Sequence, residues 1–83
     1  MAATPFHLVI ARVGEKLFDG EALSVTLPGT EGMFTVLAGH EPLVSALNAG
    51  EAEVRTPAGE TRRFAVAAGG VAEISGNQAT VLA

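Results

Sequence analysis

The stretch Glu21–Leu37, EALSVTLPGTEGMFTVL, decides the fold. Leu23, Val25 and Leu27 alternate with Ala22, Ser24 and Thr26, a period of two that belongs to a strand with one buried face. Pro28-Gly29 then predicts the end of that strand, because proline cannot donate to a ladder and glycine accepts the backbone of a turn. MFTVL, residues 33–37, reads as the next short strand. Met33 and Phe34 must point to opposite sides of it, so one of them is expected to stand exposed beside a glycine turn, where an apolar group suits an interface.

The same period extends in both directions. Toward the N-terminus, Phe6, Leu8 and Ile10 alternate with His7, Val9 and Ala11 in FHLVIARV, and Asp19-Gly20 reads as a tight turn. Toward the C-terminus, LVSALN at 43–48 is assigned as a strand. AEVRT and RRFAVA flank PAGE, and VAEIS and ATVLA flank GNQ, two hairpin signals. Gly69-Gly70 between these pairs predicts a bulge, a sharp crossing or a close approach of neighbouring backbone. Turn signals recurring about every 8–12 residues, with about eight short strands between them, predict an all-β fold. The expected architecture is a small β-sandwich of two packed, mostly antiparallel sheets, one domain over residues 1–83.

Composition removes several classes of function. The chain has 83 residues and no cysteine, so it carries no disulfide framework, thiolate nucleophile or cysteine-based zinc site. Nine acidic and five basic residues give a formal charge of −4. Arg12, Lys16, Arg55, Arg62 and Arg63 are scattered, which excludes a stripe tracking a phosphate backbone; nucleic acid is not an expected partner. The N-terminus lacks a basic region before its apolar segment, and residues 6–13 are too few to cross a bilayer. No direct membrane insertion is expected.

GHEP at 39–42 carries the residues most open to a chemical reading. Histidine exchanges protons near neutrality, so His40 is permitted as an acid or base, and a small hydrolase or isomerase would be built round it. Glu41, next to it, would point to the opposite face of an extended segment, and no second group is seen to converge. His7, His40, Glu41 and a few further carboxylates are the whole supply of metal ligands, without HExxH-type spacing. GTEG and AAGGV lack the arrangement of a phosphate-binding loop and lead into no helix. Arg62-Arg63 reads as one solvated side chain and one partly packed stem. No catalytic residue, metal site or cofactor follows from these patterns.

In order and spacing, KLFDGEALSVTLPGTEGMFTVLAGHEPLVSAL, then FAVAAGGVAEI and the closing ATVLA, resemble the N-terminal β-sandwich domain of the epsilon subunit of F-type ATP synthases. The resemblance runs from about Phe6 to Ala83. It implies a non-enzymatic rotor component of the central stalk, bound to the gamma subunit and to the ring of c subunits, coupling ion-driven rotation to ATP synthesis. Such a subunit would lie peripherally on the cytoplasmic face of a bacterial inner membrane. By position, Glu31, Gly32, Met33 and Phe34 correspond to the family's ring-facing turn. His40 and Glu41 lie in the region facing gamma and the ring, and Arg12 falls near gamma.

This chain departs from the family at that turn, where Met33 replaces a common acid, Thr35 a glycine and Ala38 a proline. The charge pairing usual there would fall to Glu31 or Glu41. Family members commonly continue past this last strand into two C-terminal helices, so the resemblance implies a polypeptide without their inhibitory function. The rival expectation is a stand-alone β-sandwich module that binds a peptide by strand addition to a sheet edge.

Overall fold

The computed structural model describes residues 4–83 and contains nine strands: β1 (Phe6–Arg12), β2 (Glu15–Ala22), β3 (Ser24–Gly29), β4 (Gly32–Val36), β5 (Leu43–Ala46), β6 (Gly50–Arg55), β7 (Thr61–Val66), β8 (Val71–Ser75) and β9 (Gln78–Leu82). A five-stranded sheet has the order β2-β1-β9-β8-β5 and a four-stranded sheet the order β4-β3-β6-β7. All pairings are antiparallel except β1 with β9, which joins the first strand to the last. The expected β-sandwich is therefore the fold observed.

The period of two does the packing. Phe6, Leu8 and Ile10 of β1, Val25 and Leu27 of β3, Val54 of β6, Ile74 of β8 and Val81 of β9 all turn inward and are buried. The open flank between edge strands β2 and β7 is closed by Phe18 and Phe64, whose rings meet edge to face at 5.9 Å. The Arg62 guanidinium lies over both rings, 5.5 and 5.2 Å from their centroids. Arg62 is thus the packed stem and Arg63 the solvated one, which pairs with Glu53 at 3.2 Å.

Three expectations need correction. Asp19-Gly20 is no turn: it lies inside β2, and the chain reverses at Val13-Gly14, with Gly14 at φ 77°. Reversing there sets Phe18, Gly20 and Ala22 opposite Ile10, Leu8 and Phe6, an apolar pairing that outweighs the local turn preference of Asp-Gly. This adds the ninth strand. Secondly, β3 continues through Pro28-Gly29 to a turn at Thr30-Glu31. Proline is tolerated because the Pro28 carbonyl accepts from the Asn48 amide at 2.8 Å. Its nitrogen therefore faces that side, beyond the last β3–β6 pair at Thr26, and the β4 ladder loses nothing. Thirdly, the run 21–27 is not one strand: the chain passes from one sheet to the other at Leu23, whose amide donates to the Arg55 carbonyl.

The other signals are found where expected. LVSA is strand β5, and hairpins turn at 56–60, with Gly59 at φ 89°, and at Gly76-Asn77. Gly70 is a close approach: a Cβ there would lie 2.6 Å from the Leu82 carbonyl oxygen.

Candidate functional site

Strand direction sorts the candidate residues into two groups. The β3–β4 turn hydrogen-bonds to the end of β5 through Thr30 to Ala46, so Glu31 and Gly32 stand at the end of the sandwich where β1 and β9 finish. Arg12, the last residue of β1, belongs to that end too. His40 and Glu41 lie in the loop between β4 and β5, at the end where β1 begins. Five residues of β4, at about 3.3 Å each, separate the Glu31 turn from the His40 loop by about 16 Å. The expected contact residues therefore form two patches.

At the first end, Met33 is 65% exposed and Glu31 and Gly32 are open to solvent. Phe34 points the other way: it is half-buried, and its ring lies where a Cβ on Gly29 would be only 2.9 Å away. Of the adjacent pair, Met33 is thus the exposed side chain, and Phe34 braces the hairpin against the core. Gly32 at φ 127° supplies a backbone conformation other residues rarely adopt. Arg12 borders a shallow, mostly apolar concavity with Ala65, Val66, Ala67 and Ala83.

At the second end, His40 Nδ1 donates to the Glu41 carbonyl oxygen at 2.7 Å, since a carbonyl can only accept. That bond leaves Nε2 as an acceptor on an exposed loop. Leu37, 57% exposed, stands at the start of the same loop. Among the described residues, no nucleophile or carboxylate side chain is bonded to the ring, and the geometry offers a surface contact.

A second polar cluster went unnoticed in the sequence. Leu17 bulges where the β1–β2 register slips, which places Lys16 on the same outer face as Asp19. Lys16 Nζ then reaches Asp19 Oδ2 at 3.0 Å, and His7 Nε2 lies 2.8 Å from Asp19 Oδ1. The Lys16 hydrogen bond is the main cause holding the Asp19 carboxyl below its ordinary value of 3.8. Among the described residues, no three His, Asp or Glu side chains are placed to hold a metal ion, and no helix is long and apolar enough to cross a membrane.

Sequence reasoning also missed the outer face of the five-stranded sheet, where Val44, Val71 and Leu82 are exposed. The signal in VAEIS was slight, since Val71 shares its outward face with Glu73 and Ser75.

Comparison with known proteins places this geometry in a family. The family model described as ATP synthase, Delta/Epsilon chain, beta-sandwich domain matches residues 5–83. The chain is 42% identical over 78 residues to the ATP synthase epsilon chain of Nitrobacter winogradskyi, covering 94% of this chain and 56% of that one. It is 42% identical over 83 residues to that of Psychrobacter cryohalolentis, covering 100% and 58%. With the epsilon chain of Chlorobaculum tepidum the identity is 40% over 77 residues, covering 93% and 86%. Against the first two relatives, the chain spans a little over half their length.

A chain in the cryo-EM structure of the Euglena gracilis mitochondrial ATP synthase, comprising OSCP, F1 and c-ring, superposes with a TM-score of 0.87 at 26% identity. The match covers 99% of this chain and 51% of that one. The chain accordingly belongs to the delta/epsilon family of ATP synthase subunits, of which it carries the β-sandwich domain.

Proposed function

We propose that this protein is a non-catalytic central-stalk subunit that docks the gamma subunit to the c-ring of an F-type ATP synthase and couples ion-driven rotation to ATP synthesis. It would act peripherally at the cytoplasmic face of a bacterial inner membrane, without a cofactor. The family match along residues 5–83 carries the reading. The two-ended site supports it, since a subunit bridging two partners needs separate patches. The Glu31–Met33 turn would meet the ring. His40, with its free Nε2, would meet gamma, while Arg12 at the ring-facing end would touch the flank of gamma. Met33 offers apolar contact only, so Glu31 supplies the charge at the ring-facing turn.

The test is a pull-down of the purified chain with gamma and, separately, with c-ring, using His40→Ala and Met33→Glu. Binding to gamma that weakens with His40→Ala, and binding to the ring that changes with Met33→Glu, is the expected result. A folded chain that ignores gamma at micromolar concentration but captures an extended peptide would replace this reading with a strand-adding module.

A further inference from the structure

Asp19-Gly20 has the composition of a turn, yet it lies extended in β2, an edge strand of the five-stranded sheet. The pair also carries a chemistry of its own. In a free chain, the amide nitrogen that follows an aspartate can attack the side-chain carboxyl. A bond forms between Gly20 N and Asp19 Cγ, the carboxyl hydroxyl leaves with the amide proton as water, and a succinimide ring results. Water then opens the ring at either carbonyl. Opening at the α-carbonyl carries the backbone through Asp19 Cβ and leaves an isoaspartate, with no net change in mass. Glycine in the second place favours closure, because its backbone turns freely and no Cβ crowds the nitrogen.

Two features of this fold oppose the attack. The first holds the nucleophile. The His7 amide donates to the Asn77 carbonyl on the β9 side of β1, so the next residue, Leu8, turns its amide and carbonyl toward β2. Gly20 stands directly opposite Leu8, which commits the Gly20 amide to the β1–β2 ladder. The second holds the electrophile. Lys16 Nζ lies 3.0 Å from Asp19 Oδ2 and His7 Nε2 lies 2.8 Å from Oδ1, so both carboxyl oxygens are tied to other side chains. The Lys16 hydrogen bond also favours the ionised carboxyl, a far poorer target for a nucleophile than the neutral acid.

Neither hold is deep inside the protein. Asp19 is exposed, and the ladder is interrupted two residues away, where Leu17 has no partner in β1. An edge strand beside a bulge opens at a lower free energy than the centre of a sheet.

We propose that Asp19-Gly20 is a latent isomerisation site, closed by the β1–β2 ladder on Gly20 and by the Lys16–His7 clamp on Asp19, and opened when β2 frays. Conversion would damage the fold at its edge. Isoaspartate adds a methylene to the backbone at position 19, so Phe18 and Gly20 no longer face Ile10 and Leu8 together. The product displays a free α-carboxylate on an exposed strand, the group that an isoaspartyl carboxyl methyltransferase esterifies with S-adenosylmethionine as methyl donor.

The experiment incubates the wild-type chain at neutral pH, folded and in concentrated urea, and measures isoaspartate at position 19 by that enzymatic methylation and by peptide mapping. It should form at least about tenfold more slowly in the folded chain. Lys16→Ala and His7→Ala, each confirmed folded by thermal unfolding, should raise the folded rate by about threefold or more and leave the rate in urea unchanged. Glu53→Ala, which breaks an ion pair on the other sheet, should leave both rates at the wild-type values. Gly20→Ala should slow the reaction in urea, since its methyl hinders ring closure. Equal rates in the folded and unfolded wild type, or folded Lys16→Ala and His7→Ala chains that isomerise no faster than wild type, overturn the proposal.

Discussion

Gly70→Ala should be among the most damaging single-methyl additions to this protein, although Gly70 has an ordinary backbone conformation. The new Cβ would lie 2.6 Å from the Leu82 carbonyl oxygen, 3.3 Å from Val66 Cγ1 and 3.4 Å from the Ala67 carbonyl oxygen. None of these neighbours gives way easily. Leu82 ends β9, the central strand of its sheet, held between β1 and β8. Gly70 itself is tied twice, donating to Ala67 at 3.2 Å and accepting from Leu47 at 2.8 Å. Overpacking of this sort costs about 1–3 kcal/mol, and the stiffer unfolded chain of the alanine variant offsets part of it with a gain of about 0.4–1 kcal/mol. The clash wins because the nearest atom is backbone. A net loss of about 1.3 kcal/mol corresponds to a fall of about 5–10 °C in Tm for a domain of this size. Thermal unfolding followed by circular dichroism measures it, with Gly20→Ala as the control. At Gly20 the nearest atom is Phe18 Cζ at an ordinary 3.7 Å, so the same substitution should change stability by less than about 0.5 kcal/mol. A Gly70→Ala protein melting within about 2 °C of wild type would refute the reasoning, since 2 °C is about 0.25–0.5 kcal/mol.

Three other outcomes follow from the packing and the charges. Leu27→Ala empties a fully buried site between the sheets and should cost about 2–5 kcal/mol, read from urea midpoints at unchanged slope. Arg62→Ala uncovers the Phe18–Phe64 pair and should cost about 0.5–1 kcal/mol; a double-mutant cycle with Phe18→Leu should then show coupling. Asp19 has a folded value depressed below 3.8, so its pairing supports the fold above that value and is lost as pH falls through the lower folded one. The stability difference between wild type and Asp19→Asn should therefore be flat near neutrality and shrink below about pH 4; a difference unchanged down to pH 2 would contradict the ion pair seen with Lys16.

Local pattern carried most of the fold. Phe6, Leu8 and Ile10 could be placed in the core because alternation is a property of neighbours in sequence, and Gly59 and Gly76 marked hairpins because a turn is settled within four residues. What was illegible depends on distant partners. Asp19-Gly20 has the composition of a turn, and only the facing residues of β1 show why it stays extended. The corner at Leu23 and the bulge at Leu17 likewise exist because two sheets must meet at fixed registers. The site divides in the same way. That one of Met33 and Phe34 would be exposed followed from their adjacency, but which one depends on the side of β4 that faces Leu27 and the core. Val44, Val71 and Leu82 share a surface only once the strand order is known, so that face could not be read from a linear chain.

The parallel pairing of β1 with β9 has a mechanical meaning. His7 to Ala11 lie beside Gln78 to Leu82, with both strands running the same way. Tension applied between the beginning of β1 and the end of β9 therefore tries to slide the two strands past each other along their length. Their hydrogen bonds lie across the line of pull and must fail together, whereas a hairpin pulled from its open end loses its bonds one at a time. The two extremities of the described chain are thus fastened by a shear joint. On the proposed stalk reading, load entering at one extremity and leaving at the other is carried by the middle of a sheet, not by its edge.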